Sequence, residues 1–418
     1  MNTKRLADYI KRNGLISTGY AIRQRLMDNA ADRAYDKEMK SRGVDEAKLE
    51  KQRKTRFEHE PLISVIVPAY RPVEKYFREM LRSVKAQTYG NYELIIGTGG
   101  GISENTNAAI SEAKGEYLAF IDQDDFLEPD ALYRIVAEIN IGADLIYTDE
   151  DKYDTAKNRY LRPFRKPDFD MELLLSNNYV CHFLTVKKDL VNEVGGFRSE
   201  YDGAQDHDLI IRCAEKLERE RIGHVDRILY HWRIHEGSTA GDPGNKDYAH
   251  EAGRRAIEDH IKKTVPEFEV KETEHRGFYR VEYNKNEEIV GKMHLGEGIA
   301  PKSADAEERL NAYLAANPDV GAIGGRVIDR KGRILSGGYK RDSGGVIEAL
   351  YQGNNYRMPG EFNQATLRQE VDIISSRCVM LRNELEGCIH SDSSRMSRRI
   401  RDRGYRIIMD PQIVFIRK

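Results

Sequence analysis

Hydrophobic and polar positions follow two alternating periods through the middle of this chain. LISVIVPAY (62–70) is a short, nearly continuous apolar run that reads as a buried strand ending at Pro68. VEKYFREMLRSVKAQ (73–87) places Phe77, Leu81 and Val84 on one face of a helix. YELIIG (92–97) predicts a second strand, followed by a glycine-rich loop and a helix over 103–114. EYLAFI (116–121) predicts a third strand, 129–140 a helix and ADLIYTD (143–149) another strand. Strands alternating with helices imply parallel pairing through crossover connections, and so an α/β fold. Residues 160–200 break the rhythm with a short helix, a strand and the Gly195-Gly196 turn. A helix over 203–216 then opens behind acidic residues, and 222–240 reads as a strand running into a loop.

Before this core, residues 1–58 are highly charged with apolar positions at irregular helical intervals: Leu6, Ile10, Leu15, Tyr20, Ile22 and Leu26. They predict a helical arm packed on the main body or a partner; a basic amphipathic start is also the pattern of a segment touching anionic lipid. KLEKQRK (48–54) reads as a solvated helix or linker.

Composition narrows the classes. With 67 Lys and Arg against 69 Asp and Glu, the net charge is −2, which argues against a dedicated nucleic-acid binder. Cys181, Cys213, Cys378 and Cys388 are scattered, without the spacing of a metal site, and fit thiols packed as small hydrophobes in a reducing cytoplasm. The first residues lack the apolar core of a signal peptide, and no run of ~18 apolar residues suits a bilayer span. The expected location is therefore cytoplasmic, with peripheral contact at the inner face of the membrane left open.

The chemistry concentrates in GEYLAFIDQDDFLEPDAL (115–132). An apolar run ends abruptly in Asp122, Asp124 and Asp125, and Glu128-Pro129-Asp130 signals a helix start. Carboxylates at the C-terminal end of a strand suit a hard divalent cation such as Mg²⁺ or Mn²⁺ shared with substrate phosphates. In open α/β sheets ligands bind outside those strand ends. Taken alone, the same residues also read as a solvated acidic turn capping the helix.

Further motifs stand in a fixed order: SVIVPAYR (64–71), SVKAQTY (83–89), GISENTNAAISEAKGEY (101–117), DQDD (122–125), YTDEDKYD (147–154), PFRKPDFD (163–170), VGGFR (194–198), QDHDL (205–209) and YHWRIHEGS (230–238). Together they resemble the family 2 glycosyltransferases, inverting enzymes of the GT-A fold, over roughly residues 60–260. The resemblance is to bacterial enzymes that build cell-surface polysaccharides, often with two such domains in tandem. It implies that Asp124 binds the metal bridging a nucleotide diphosphate, with His235 approaching the same metal or diphosphate. It implies that Asp122 lies near the ribose or orders the metal site, and that Asp125 supports the turn or caps the helix. Pro68, Tyr70 and Arg71 fall where the base and ribose of the donor lie, and Arg233 where it could contact the diphosphate. Asp206 matches the base that deprotonates the acceptor hydroxyl. Asp208 is its substitute if the register differs by a turn, with helix capping as its expected role.

The chain also departs from the pattern. The family has an Asp-rich turn after the second strand, then a helix and an edge strand; here Gly97-Thr98-Gly99-Gly100-Gly101 leads directly into ISENTN. One wall of the donor pocket is expected to be open. The glycine loop reads as a tight connector, or as a phosphate cradle made of backbone N–H groups.

The second half echoes the first. Residues 291–329 parallel the stretch from EYLAFIDQDD through ADLIYTDE, 373–389 parallel YVCHFLTVKKDLVNEVGGF, and 390–416 parallel QDHDLIIRCAEK with its following strand. The acidic motif has become HLGEG (294–298), nothing before it matches SVIVPAY, and HRGFYRVEY (275–283) bridges straight into the repeat. The expected organisation is an arm (1–58), a GT-A domain (59–265) and a truncated, non-catalytic GT-A-like repeat (266–418), in which Asp392 is a relic of Asp206.

The leading expectation is metal-dependent, inverting transfer of a sugar from a nucleotide-sugar donor to a glycan or lipid-linked glycan acceptor. The competing one is a weak or inactive paralogue that serves as a binding subunit for other glycosyltransferases. A nucleotidyltransferase is disfavoured, because no glycine-rich basic loop stands near Pro68.

Overall fold

The computed structural model describes residues 3–43, 45–235, 246–273, 275–341 and 345–418. Its first half is built on eight strands: β1 (Ile63–Pro68), β2 (Tyr92–Gly97), β3 (Tyr117–Phe120), β4 (Phe126–Leu127), β5 (Leu145–Asp154), β6 (Arg159–Phe164), β7 (Leu184–Lys187) and β8 (Ile222–Ile234). The helices are α1 (Thr3–Ser41), α2 (Glu46–Lys54), α3 (Glu74–Lys85), α4 (Ile102–Glu112), α5 (Ala131–Asn140), α6 (Met171–Leu174), α7 (Lys188–Glu193), α8 (Gln205–Ala214) and α9 (Lys246–Ile261). Strand order is β2-β1-β3-β7-β5-β8-β4, with β6 paired to β5.

The apolar run of β1 is explained by its place in the sheet. Ile63, Val65 and Val67 face α3 and α5, where Met80, Val84 and Leu132 pack, while Ile66 joins Leu118, Ala109 and Leu209 on the other face. A strand covered on both faces has no polar side to show. At the entry to β3 the chains are in close contact: a Cβ on Gly115 would lie 2.5 Å from the Ser64 hydroxyl, so only glycine fits.

Parallel pairing holds for β2, β1 and β3, and again for β5 with β8. It fails at β7, which runs antiparallel between β3 and β5. The reversal comes from the aperiodic stretch after β5: β6 folds back on β5 as a hairpin, and α6 then brings the chain into the sheet from the opposite end. The strand predicted over 143–149 continues to Asp154 because β6 and β8 both pair with its extension.

The second half repeats half of this sheet. Gly291–Leu295, Cys378–Arg382, Val320–Ile328, Arg406–Arg417 and Ile299–Pro301 lie side by side in that order. Their senses are antiparallel, antiparallel, parallel and antiparallel, the same series as β3-β7-β5-β8-β4. A helix at Ala306–Ala316 occupies the place of α5 and one at Ser393–Arg401 that of α8. Among the described residues nothing corresponds to β1 or β2.

The arm is a single long helix whose C-terminal part packs on β6. Asp36 and Asp32 accept hydrogen bonds from the backbone N–H of Tyr160 and Arg162, and Tyr35 reaches through to Asp151 (2.6 Å). The side chains of Leu6 and Leu15 lie outside the described residues. KLEKQRK is helical in α2, and it is docked: Leu49 is buried and Gln52 donates to Asp130.

Candidate active site

A cavity of about 520 Å³ opens at the C-terminal ends of β1 and β3, lined in part by Pro68, Asp122, Lys152, His182, Asp206 and Trp232. Asp122 and Asp206, distant in sequence, therefore face one space. Asp122 follows directly on β3, and its backbone N–H donates to the Tyr230 hydroxyl (3.2 Å). Burial within the cleft and the nearby Asp124, Asp206 and Glu150 carboxylates hold the Asp122 carboxyl above its usual range. The 43 % of its side chain that still faces the opening limits the first of these effects.

The three aspartates of the turn go to different places. Asp124 meets His235, with Oδ2 2.7 Å from Nε2, and the imidazole packs against Tyr76. The rest of the YHWRIHEGS motif, 236–238, lies outside the described residues. Asp125 is fully buried and directs both oxygens at β8, accepting from the Tyr230 hydroxyl (2.5 Å) and the Arg233 N–H (2.7 Å). Burial, then the charges of Asp122 and Asp124, push its carboxyl well above the usual range.

Arg233 sits beneath the turn, outside the cavity lining. It is buried, donates to the Asp124 carbonyl (2.5 Å), pairs with Glu79 (2.8 Å) and is surrounded by Tyr76, Phe126 and Tyr153. Its charge holds the acidic turn onto β8. Pro68 lines the cavity, whereas Tyr70 and Arg71 stand at its outer rim, Tyr70 being 64 % exposed. Gln123 clamps that rim through both ends of its side-chain amide, accepting from the Tyr70 N–H (2.8 Å) and donating to the Tyr70 carbonyl (3.2 Å).

Asp206 lies in the first turn of α8 and accepts from Asn178 Nδ2 (2.8 Å). Asp208 does not cap that helix. Two residues on from Asp206, just over half a turn of helix, it points away from the cavity and is buried between Arg198 and Arg212, the latter at 2.6 Å.

The segment 178–182 connects the two ends of the site. Its Asn178 holds Asp206, and its His182 stacks on Tyr230 and comes within 3.8 Å of Asp122. Oxygen and nitrogen atoms of Asp122, Asp125 and His182 lie within 4.8 Å of one another, a grouping that could hold a cation. The segment itself is gripped from below by Lys166, whose fully buried ammonium donates to Glu150 (2.8 Å) and to the carbonyls of Val180 (2.7 Å) and His182. All three donors of the lysine are thereby used, the condition under which a buried ion pair is tolerated.

Residues 97–195 match the family model described as "Glycosyl transferase family 2". The chain carries a family 2 glycosyltransferase domain. It is 39 % identical over 241 residues to an uncharacterised protein, y4gI, of Sinorhizobium fredii, covering 50 % of this chain and 26 % of that one. It is 32 % identical over 237 residues to the O-antigen biosynthesis protein RfbC of Myxococcus xanthus, covering 49 % and 18 %. The chain thus spans about a quarter or less of the length of these relatives. Among solved structures, S. aureus TarS in complex with UDP-GlcNAc aligns at 18 % identity and a TM-score of 0.39, covering 48 % of this chain and 66 % of that one.

The match to the glycosyltransferase family begins at Gly97, where the chain leaves β2 for the glycine loop. In that loop the N–H groups of Gly100 and Gly101 are taken by Asn105 (2.6 Å) and Glu104 (3.0 Å) of α4. Gly97 packs against the backbone of Asn105 so closely that a Cβ would lie 2.0 Å from its carbonyl oxygen. The loop is built as a tight connector, and the sheet of the glycosyltransferase domain ends at β2.

Sequence reading did not single out Gln123, Glu150, Lys166, Asn178, His182 or Tyr230. Gln123, Glu150, Lys166 and Tyr230 stand inside the ordered motifs DQDD, YTDEDKYD, PFRKPDFD and YHWRIHEGS, while Asn178 and His182 lie in the aperiodic stretch 160–200, and the roles of all six follow from contacts across the sheet.

Proposed function

We propose that this chain transfers a sugar from a nucleotide-diphosphate donor to a glycan acceptor, with inversion at the anomeric carbon and with Mg²⁺ or Mn²⁺ bound at the acidic turn. The observation that carries the reading is that Asp122 and Asp206 line one cavity, which supports a cation-binding role for the first and a base role for the second. Two groups offer donors suited to a hard divalent ion: Asp122 and His182, whose ligand atoms lie within 4.8 Å of one another and of Asp125, and separately Asp124, bonded to His235. Asp125 fits less well, because Tyr230 and Arg233 already occupy its oxygens. When bound, the ion supplies charge neutralisation for the departing diphosphate.

The chain's own residues supply the rest. Asn178 fixes one oxygen of Asp206 and leaves the other to the acceptor hydroxyl. As that hydroxyl oxygen bonds to the anomeric carbon, its proton passes to Asp206 while the carbon–oxygen bond to the diphosphate breaks on the opposite face. Pro68, Tyr70 and Arg71 border the donor side, with Gln123 holding the Tyr70 backbone in place. The same reading divides the chain into an arm (1–58), a catalytic domain (59–265) and a non-catalytic repeat (266–418). Its acceptor is a growing surface glycan, met at the inner face of the membrane.

Titration with a panel of nucleotide sugars plus Mn²⁺, followed by a transfer assay with Asp124→Ala and Asp206→Asn, tests this. Loss of a general base costs about 10²–10⁴-fold, so Asp206→Asn should retain donor binding and lose turnover. Transfer that survives both substitutions removes the assignment. The sheet that ends at β2 motivates one other reading, a binding subunit without catalysis. That reading expects neither donor binding nor donor hydrolysis at millimolar ligand.

A further inference from the structure

The repeat that lacks its own acidic motif is bonded to α6, the short helix whose far end meets the helix carrying Asp206. Asp170 caps α6: its Oδ1 accepts from the N–H groups of Glu172 (3.0 Å) and Leu173 (3.3 Å). Its Oδ2 belongs to the second half, accepting from Lys340 Nζ (3.2 Å) and the N–H of Glu370 (2.9 Å). One residue into the helix, Glu172 accepts from the Tyr313 hydroxyl (2.6 Å), also of the second half. Asp170, Glu172 and Tyr313 are buried, Asp170 to 1 % exposure, and Lys340 is partly buried.

The far end of α6 is bonded to the catalytic carboxylate's surroundings. The Leu174 carbonyl meets His207 Nε2 at 2.7 Å, and His207 is the residue after Asp206. Just beyond the helix, the Ser176 carbonyl accepts from the Tyr279 N–H (2.8 Å) and Asn177 donates to the Gly277 carbonyl (2.8 Å), both on the bridge between the halves. Asn178, next in sequence, holds Asp206 itself. A single helical turn therefore separates the second half's contacts from those of the base, a distance of about 6 Å along the axis. A short rigid element pinned at both ends transmits displacement, and base geometry is sensitive to it.

We propose that the second half is a brace for the base: through Lys340 and Tyr313 it holds α6, and α6 sets the position of Asp206 through His207 and Asn178. This gives a role to a repeat without carboxylates for a cation, and it rests on the reading of Asp206 as base. Lys340 and Tyr313 are positioning residues, since neither lines the cavity.

The test uses the full chain with Lys340→Met and Tyr313→Phe, alone and combined. Kinetics of sugar transfer are measured beside backbone hydrogen exchange over 174–182 and circular dichroism. The expected result is a folded double variant with turnover down roughly ten- to a hundred-fold, donor KM within about two-fold, and faster exchange over 174–182. Lys340→Arg, which restores a donor to Asp170, should recover most of the turnover. A folded double variant with unchanged turnover overturns the brace, as does unchanged exchange over 174–182. If the unaltered chain transfers no sugar, the enzymatic reading falls by itself, and the exchange measurement alone then decides whether the second half holds α6.

Discussion

Tyr230 shows how much of the acidic turn depends on a residue with no charge of its own. Its hydroxyl donates to Asp125 and accepts from the Asp122 N–H, while its ring carries His182. Tyr230→Phe would leave Asp125 Oδ2 buried without that partner, which costs about 1–3 kcal/mol. Urea denaturation should show that loss, and affinity for Mn²⁺ should fall with it, because Asp122 and His182 lose their common support. The sequence offered Asp122, Asp124 and Asp206 as candidates because an acidic residue after an apolar run, or at the start of a helix, is visible in one dimension. It set Asp206 before Asp208 and expected Asp208 to cap the helix, whereas Asp208 pairs with Arg198 and Arg212, partners that only the fold brings together. Nor did it reveal that Arg233 is buried against Glu79, a partner that α3 brings in from far along the chain.

At the scale of elements, the period of the apolar positions located β1, β2, β3 and β5, and missed β4, whose two residues are too few to show a period. β7 escaped it in direction, because strand sense depends on the path between elements. The arm was legible as a helix, and its docking was not: α1 attaches through a polar chain that no periodicity encodes. Tyr35 donates to Asp151, Asp151 meets His231 Nδ1 (2.7 Å), and His231 Nε2 meets Glu128 (3.2 Å). Burial disfavours charge on that imidazole, but Asp151 and then Glu128 outweigh it and raise it to about 9. An unfolded histidine titrates near about 6.5. The stabilisation is therefore complete below that pH and is lost as pH rises through about 9. Thermal melting followed from pH 6 to 10 should fall over that window, and His231→Gln should flatten the dependence. Limited proteolysis of α1 should quicken over the same range.

At the scale of the whole molecule, a single sheet topology is used once in full and once from β3 onward. The repeat was detectable because its helices and strands keep their spacing; at the position parallel to Asp206, Asp392 caps the helix at Ser393–Arg401, accepting from the Ser394 and Arg395 N–H groups. Among the described residues, no strand pairs with the outer side of Gly291–Leu295, where β1 would lie against the second sheet. A strand in that position presents unpaired N–H and C=O groups on which another chain can build. Lys292 projects from it, exposed and paired with Glu386, and at the opposite border Pro301 has no N–H to offer. Truncation of the repeat thus left the chain with a surface prone to self-association, guarded by one lysine. Lys292→Val should make sedimentation concentration-dependent at neutral pH while leaving the melting temperature nearly unchanged.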